Sequence, residues 1–282
     1  MINVQYIILF HYFREVLKHA NKRGIEMAPL KGAHFLTSIY PPSEDRGPLA
    51  DIDFLVQEDD WNRAVELMIS IGFILRQTEN RQVSQRKYHE AVFFSKLENG
   101  QYILFEAHRQ FVQPSRHPVN YNDVWDRAYS STFEGVPCKR LCDTDHLLHL
   151  VIHLFSHRFS CLKRSMRDLE LLVNAGNIEY KAIVPRAIEW KCTRALWLTL
   201  SLYKKKTNSE RFDKIIQQVR PPLPVRLLLK LLVTNEKEFL FKEIGLRKEQ
   251  LILWTLLMDD SHQSGSFLFS FLNSRIRDLL EK

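Results

Sequence analysis

The sequence places Asp51-Ile52-Asp53 inside the apolar run from Leu49 to Val56. In a strand, residues two apart share a face, so these carboxylates would be rooted roughly 6 to 7 Å apart, a costly repulsion unless a cation or water offsets it. A hard divalent ion resolves the conflict, because Mg²⁺ takes one or two carboxylates and completes its shell with water and substrate phosphates. An exposed edge-strand face is the purely structural alternative. Glu106 sits mid-way through Tyr102–His108, with Leu104 and His108 on its own face. A run this apolar rarely turns a carboxylate inward without a partner. If the two strands are neighbours, three acids converge. Such a triad is what two-metal phosphoryl or nucleotidyl transfer needs, with the ions clamping attacking and leaving oxygens and the extra acid holding an ion or accepting the hydroxyl proton. The alternative for Glu106 is a salt bridge to Arg109 or Arg76.

Leu30-Lys31-Gly32-Ala33 supplies a candidate phosphate end. A glycine where a strand turns into a helix lets backbone N–H groups approach an anion, and the helix N-terminus and an adjacent lysine add positive charge. No G-x-x-x-x-G-K-[ST] or G-x-G-x-x-G occurs, so P-loop and dinucleotide-binding readings have no support. His146, His149, His153 and His157 are spaced 3, 4 and 4, which sets four imidazoles on one helical face. Three roles compete: a zinc site completed by Cys142 or Asp168, a packed face hydrogen-bonded to Asp168 or to the acids, and contact of His149 and His153 with a triphosphate or acceptor. No serine stands in a G-x-S-x-G setting, and no cysteine has an evident base beside it.

Elements of both periodicities must position these groups. Helical spacing of Tyr6, Leu9, Phe13, Val16, Leu17 and Ala20 predicts an opening amphipathic helix, without the basic start or cleavage site of a leader. Strands are predicted at Glu26–Leu30, Ala50–Val56, Phe73–Arg76, Glu90–Lys96 and Tyr102–His108, the last two joined at Asn99-Gly100. Helices are predicted at Lys31–Tyr40 and over Trp61–Ile69, closed by Gly72. Tyr121–Arg140 would connect the halves through a short helix near Trp125 and a strand at Thr132–Arg140. Beyond Asp143 the pattern is helical: Leu147–Phe155, Met166–Val173, Ile178–Trp190, Arg194–Tyr203, Pro224–Val233 and Leu251–Leu257.

The 282 residues carry a net charge of +7, and the whole excess lies after residue 140, because the first 140 residues balance. That half could face phosphates or nucleic acid, or present solvated helical faces such as Lys204-Lys205-Lys206. Four scattered cysteines make no disulfide framework or zinc knuckle, and no apolar run is long enough to span a membrane, so a cytoplasmic setting is the expectation.

The order Lys31-Gly32, Arg46, Asp51-Ile52-Asp53-Phe54-Leu55-Val56, Gly72-Phe73, Glu106-Ala107-His108 and Leu148-His149-Leu150-Val151-Ile152-His153 resembles the nucleotidyltransferases of the DNA polymerase beta superfamily. It is most similar to a bacterial branch with L-K-G, D-I-D-L-L-V, E-L-H-W and L-H-L-x-x-H signatures, over roughly residues 8 to 175. The resemblance implies a small mixed sheet in a nucleotidyltransferase-like domain; with the change to helical spacing after residue 140, the expectation is an α+β chain with residues 1–140 as that domain and residues 141–282 as an all-helical domain. The resemblance also implies Mg²⁺, with Mn²⁺ as substitute, and a nucleoside triphosphate such as ATP as donor. Asp51, Asp53 and Glu106 fall on the metal-binding and catalytic acids, Lys31 with Gly32 on the phosphate-proximal turn, and Arg46 near the substrate pocket; His149 and His153 stay candidates for nucleotide contact on the reading of the stripe given above. The acceptor is open between a small molecule, a peptide and RNA, the last met by the basic half. A non-catalytic nucleotide-binding module and a toxin-like enzyme acting on tRNA are the alternatives. This chain differs in having Gly32-Ala33 for the usual Gly-Gly or Gly-Ser, Arg46 five residues before Asp51 rather than about four, and Arg109 in place of the aromatic after the histidine.

Overall fold

The computed structural model describes residues 4–41, 46–76, 89–98, 100–112, 117–157, 162–175, 177–233 and 255–259. The opening helix α1 (Val4–Lys22) presents Leu9, Phe13, Val16, Leu17 and Ala20 as one buried stripe. A short strand β1 (Met27–Pro29) leads directly into α2 (Lys31–Ser38), and β2 (Asp51–Val56) follows. After a single 3₁₀ turn at Glu58–Asp60 comes α3 (Trp61–Ser70), ended by Gly72 at φ +96°, a backbone state that favours glycine. Then come β3 (Ile74–Leu75), β4 (Glu90–Lys96) and β5 (Tyr102–His108).

These five strands form one sheet in the order β1-β2-β5-β4-β3. Only the central β2–β5 pair is parallel; the other three neighbouring pairs are antiparallel, so the sheet is small and mixed. Its two faces differ in chemistry. Ile52, Phe54, Val56, Phe93, Ile103 and Phe105 point to a common core with the stripe of α1, where the Phe13 ring lies 5.5 Å from Phe54 and 6.1 Å from Phe105. The opposite face carries Asp51, Asp53, Glu106 and His108, because side chains alternate along each strand.

Beyond the sheet lie α4 (Tyr121–Asp126), β6 (Tyr129–Phe133) and β7 (Val136–Arg140). The strand predicted over Thr132–Arg140 is therefore a hairpin, with β6 paired antiparallel to β7. Its two-residue loop, Glu134-Gly135, has φ of +48° and +79°. That matches the twist-compatible type I′ turn, and a glutamate at its first position hides the signal that asparagine or aspartate would give.

Helices follow: α5 (Asp143–Ser156), α6 (Leu162–Ala175), α7 (Tyr180–Glu189), α8 (Thr193–Thr207), α9 (Asp213–Gln218) and α10 (Leu223–Val233). The chain is thus α+β, a small mixed sheet with helices followed by a helical part. The helix predicted over Leu251–Leu257 lies mostly outside the described residues; of that stretch residues 255–257 are described, and they are helical. The described residues fall into two compact units, one within the ranges Met1–Phe111, Asn120–His146 and Leu171–Asn177, the other within Val112–Val119, Leu147–Glu170 and Ile178–Lys282. No helix among the described residues is long and apolar enough to cross a membrane.

Candidate active site

The register of the parallel pair sets Asp53 directly opposite Glu106 and Leu55 opposite His108. Asp51, opposite Leu104, opens the same face of β2. The convergence anticipated from sequence holds for Asp53 and Glu106, and the structure adds His108: one ligand atom from each of these three lies within 4.8 Å of the other two. In sequence His108 stood with Glu106 on one strand face, and its proximity to Asp53 emerges only once β2 lies alongside.

Lys31 arrives from the other side. Because β1 runs antiparallel to β2, with Pro29 opposite Phe54, the chain leaves the sheet beside Asp53, and the Leu30 N–H donates to the Asp53 carbonyl at 2.9 Å. Lys31 then adopts φ +45°, a left-handed state that costs a non-glycine residue of order 1 kcal/mol and is found where surrounding contacts over-determine the backbone. Its ammonium donates to Asp53 Oδ1. His108 Nε2 lies 2.9 Å from that same oxygen and 3.7 Å from Glu106 Oε2. On its other edge His108 Nδ1 is 3.8 Å from Glu90 Oε2, and Glu90 is held in turn by His89 Nε2 at 3.3 Å.

Electrostatics follow from this crowding. Burial pushes the Asp51 carboxyl up to about 6, with repulsion from Asp53 and Glu106 adding to it. Burial acts in the same direction on Asp53, but the Lys31 charge and the His108 hydrogen bond outweigh it and hold that carboxyl well below its ordinary range. For Lys31 and His108 burial alone would favour the neutral form. Asp53 reverses this for both, helped by Glu106. Glu90 is lowered to about 2, chiefly by the hydrogen bond with His89.

Gly32 and Arg46, both expected at the nucleotide, are brought together beside Lys31. A Cβ built on Gly32 would lie 2.8 Å from Arg46 Nη1 and closer still to Leu49, so the bare glycine makes room for the guanidinium, which also stands 6.0 Å from the Phe35 ring centre. Arg109, in place of an aromatic, is buried, bonded to Glu58 at 2.8 Å and 5.7 Å from the Trp61 ring centre. An ion pair and a cation–π contact thus occupy the position.

The histidine stripe divides. His146 stacks on His34 with centroids 3.6 Å apart and planes 9° from parallel. His149 and Asp168 are buried, His153 half-buried, and the His153 and His157 rings stand 4.3 Å apart. Among the described residues no stripe histidine joins a group of three metal-ligand atoms. In the lysine run closing α8, Lys204 is bonded to both carboxylate oxygens of Asp213 at 2.7 Å.

Asp51, Asp53 and Glu106 thus lie on one sheet face together with the Lys31 ammonium and the His108 imidazole, and one ligand atom each from Asp53, Glu106 and His108 lies within reach of a single metal ion. Residues 1–208 match the family of uncharacterised nucleotidyltransferases, and the chain belongs to it. Among curated proteins none matches the sequence. A solved antigenic nucleotidyltransferase-like protein from Paracoccidioides brasiliensis superposes with a TM-score of 0.45 at 13% identity, over 74% of this chain and 92% of that one. At that level of likeness the assignment rests on the family match.

Proposed function

We propose that the protein moves a nucleoside monophosphate from a triphosphate to an acceptor hydroxyl, phosphate or amine, releasing pyrophosphate, at a divalent-ion site held by Asp51, Asp53 and Glu106. The observation that carries this reading is the direct cross-strand pairing of Asp53 with Glu106, beneath a helix whose first residue, Lys31, bonds Asp53. The donor set fits a cation: Asp51, Asp53 and Glu106 share one sheet face, and repulsion from the other two acids adds to burial in raising Asp51. Mg²⁺ or Mn²⁺ bound there would neutralise the triphosphate and polarise the phosphoryl group under attack. Glu106 accepts the acceptor's proton at a carboxylate oxygen. Lys31 supplies a positive charge beside the acids, Gly32 lets the start of α2 approach an anion, and Arg46 adds a planar donor set suited to phosphate. His149→Ala and His153→Ala variants test, by an increased KM, whether these histidines take part in nucleotide binding.

A second reading, a nucleotide-binding module without turnover, is favoured by Ala33. It is 1% exposed and stands where the superfamily's turn often carries a serine, so no hydroxyl is offered to phosphate. The deciding experiment measures pyrophosphate release from each of the four nucleoside triphosphates, with Mg²⁺ or Mn²⁺ and a panel of sugar phosphates, peptides and tRNA, for wild type and the double variant Asp51→Ala, Asp53→Ala. Release lost in the double variant supports transfer. Metal-dependent nucleotide binding without release selects the module. For tRNA as acceptor, binding that weakens steeply with salt is expected, since neutralised phosphates release counterions.

A further inference from the structure

The group formed by Asp53, Glu106 and His108 offers one nitrogen beside two carboxylates. We propose that this site prefers a first-row transition ion of the Mn²⁺–Co²⁺ type over Mg²⁺, with His108 Nε2 as a ligand and Glu90 orienting the imidazole through Nδ1. This rests on the reading above that these strands hold a divalent ion, and concerns which ion and which third ligand.

Two independent features of His108 support it. The ring is 3% exposed, and its Nε2 faces both acids at 2.9 and 3.7 Å, while Asp51 contributes no atom to the tight group. Its Nδ1 is buried and makes no hydrogen bond, although Glu90 Oε2 stands only 3.8 Å away. A buried imidazole nitrogen without a bond is uncommon and calls for an explanation. Metal-ligating histidines nearly always donate their other N–H to a carboxylate, a backbone carbonyl or a water, and here a carboxylate stands nearest, Glu90, which is held in turn by His89. An ion between Nε2 and the carboxylates takes the place of the hydrogen bond from His108 to Asp53, and a small ring rotation then closes Nδ1–H on Glu90. Mg²⁺ is poorly matched to such a set, because it favours oxygen donors in near-ideal octahedral geometry, whereas imidazole suits transition ions.

Isothermal titration of the full chain with Mg²⁺, Mn²⁺ and Co²⁺, without nucleotide, tests the inference in wild type and in His108→Gln, which offers an amide oxygen where the nitrogen was. His108→Gln is expected to lose about tenfold or more in Co²⁺ and Mn²⁺ affinity with Mg²⁺ nearly unchanged, and Glu90→Gln to weaken transition-ion binding by about 10- to 100-fold. Proton NMR of the Co²⁺-loaded wild type should show a hyperfine-shifted, exchangeable imidazole N–H that His108→Gln lacks, and circular dichroism checks that both variants fold. Unchanged Co²⁺ affinity in His108→Gln, or no such resonance in wild type, overturns the inference while leaving Mg²⁺-dependent transfer standing. Failure of Mn²⁺ and Co²⁺ to bind wild type likewise overturns the inference, while the transfer reading stands or falls on metal-dependent pyrophosphate release.

Discussion

His146 makes a pH-dependent liability that can be worked from its surroundings. It lies in the first turns of α5, where residues 143–150 are all buried, stacked face to face on His34 and 2% exposed. Burial first, and the Arg140 charge second, push its pKa down to about 3 from an ordinary value near 6.5. Between these values the unfolded chain binds a proton that the folded chain refuses. A depressed base therefore leaves stability whole above about pH 6.5 and removes it as pH falls, by about 1.4 kcal/mol per pH unit for one proton. At pH 4.5 the accumulated loss is about 2 to 3 kcal/mol, a sizeable part of the stability of an ordinary domain. The perturbation is His146→Phe, which keeps a flat ring on His34 but cannot be protonated, with His146→Gln as a smaller neutral control. Urea unfolding followed by circular dichroism at pH 4.5, 5.5, 6.5 and 7.5 is the assay. The difference between variant and wild type should be constant above pH 7 and move in favour of the variant by about 1.4 kcal/mol per unit below pH 6. Parallel pH curves for wild type and both variants would refute the reasoning.

Three further outcomes are expected. Asp53→Asn keeps the shape of the side chain but removes the charge facing Lys31 and His108, so pyrophosphate release should fall to the background of the double variant while far-ultraviolet circular dichroism is retained; wild-type turnover would exclude Asp53 from the site. Gly32→Ala forces a methyl group into Arg46 and Leu49, at a cost of about 1 to 3 kcal/mol by overpacking, and should raise the nucleotide Kd through displacement of Arg46; unchanged stability and Kd would mean that Gly32 is not needed for that fit. Phe13→Ala empties the centre of the aromatic cluster with Phe54, Phe105 and Phe133 and should cost about 3 to 5 kcal/mol in urea unfolding, with ion affinity at the opposite sheet face kept in the fraction that remains folded.

Much of the site was legible because strand periodicity is local. Alternation alone put Asp51 with Asp53 on one face of β2, and Glu106 with His108 on one face of β5, since successive side chains in a strand must point to opposite sides. The same local rules located α1, α2 and α3 and the pattern of helices after Asp143. The order of motifs, rather than any single one, carried the likeness to nucleotidyltransferases, to which the family match over residues 1–208 corresponds. Local rules failed at β6–β7, where a glutamate takes a left-handed turn position that the hairpin's twist imposes.

Only the tertiary structure decided which groups meet. Pairing order and register are long-range properties: that β5 lies parallel to β2, with Glu106 opposite Asp53, depends on the aromatic core beneath the sheet and on no short stretch of sequence. The same holds for Lys31 bonding Asp53 across 22 residues, for Arg46 filling the space left by Gly32, and for His146 being taken up by His34. The sequence by itself determined which side chains could do chemistry and on which face of their own element they stand. Tertiary packing determined their neighbours, and with them the charges, because the charge state of a buried side chain depends on what folding brings within a few ångströms of it.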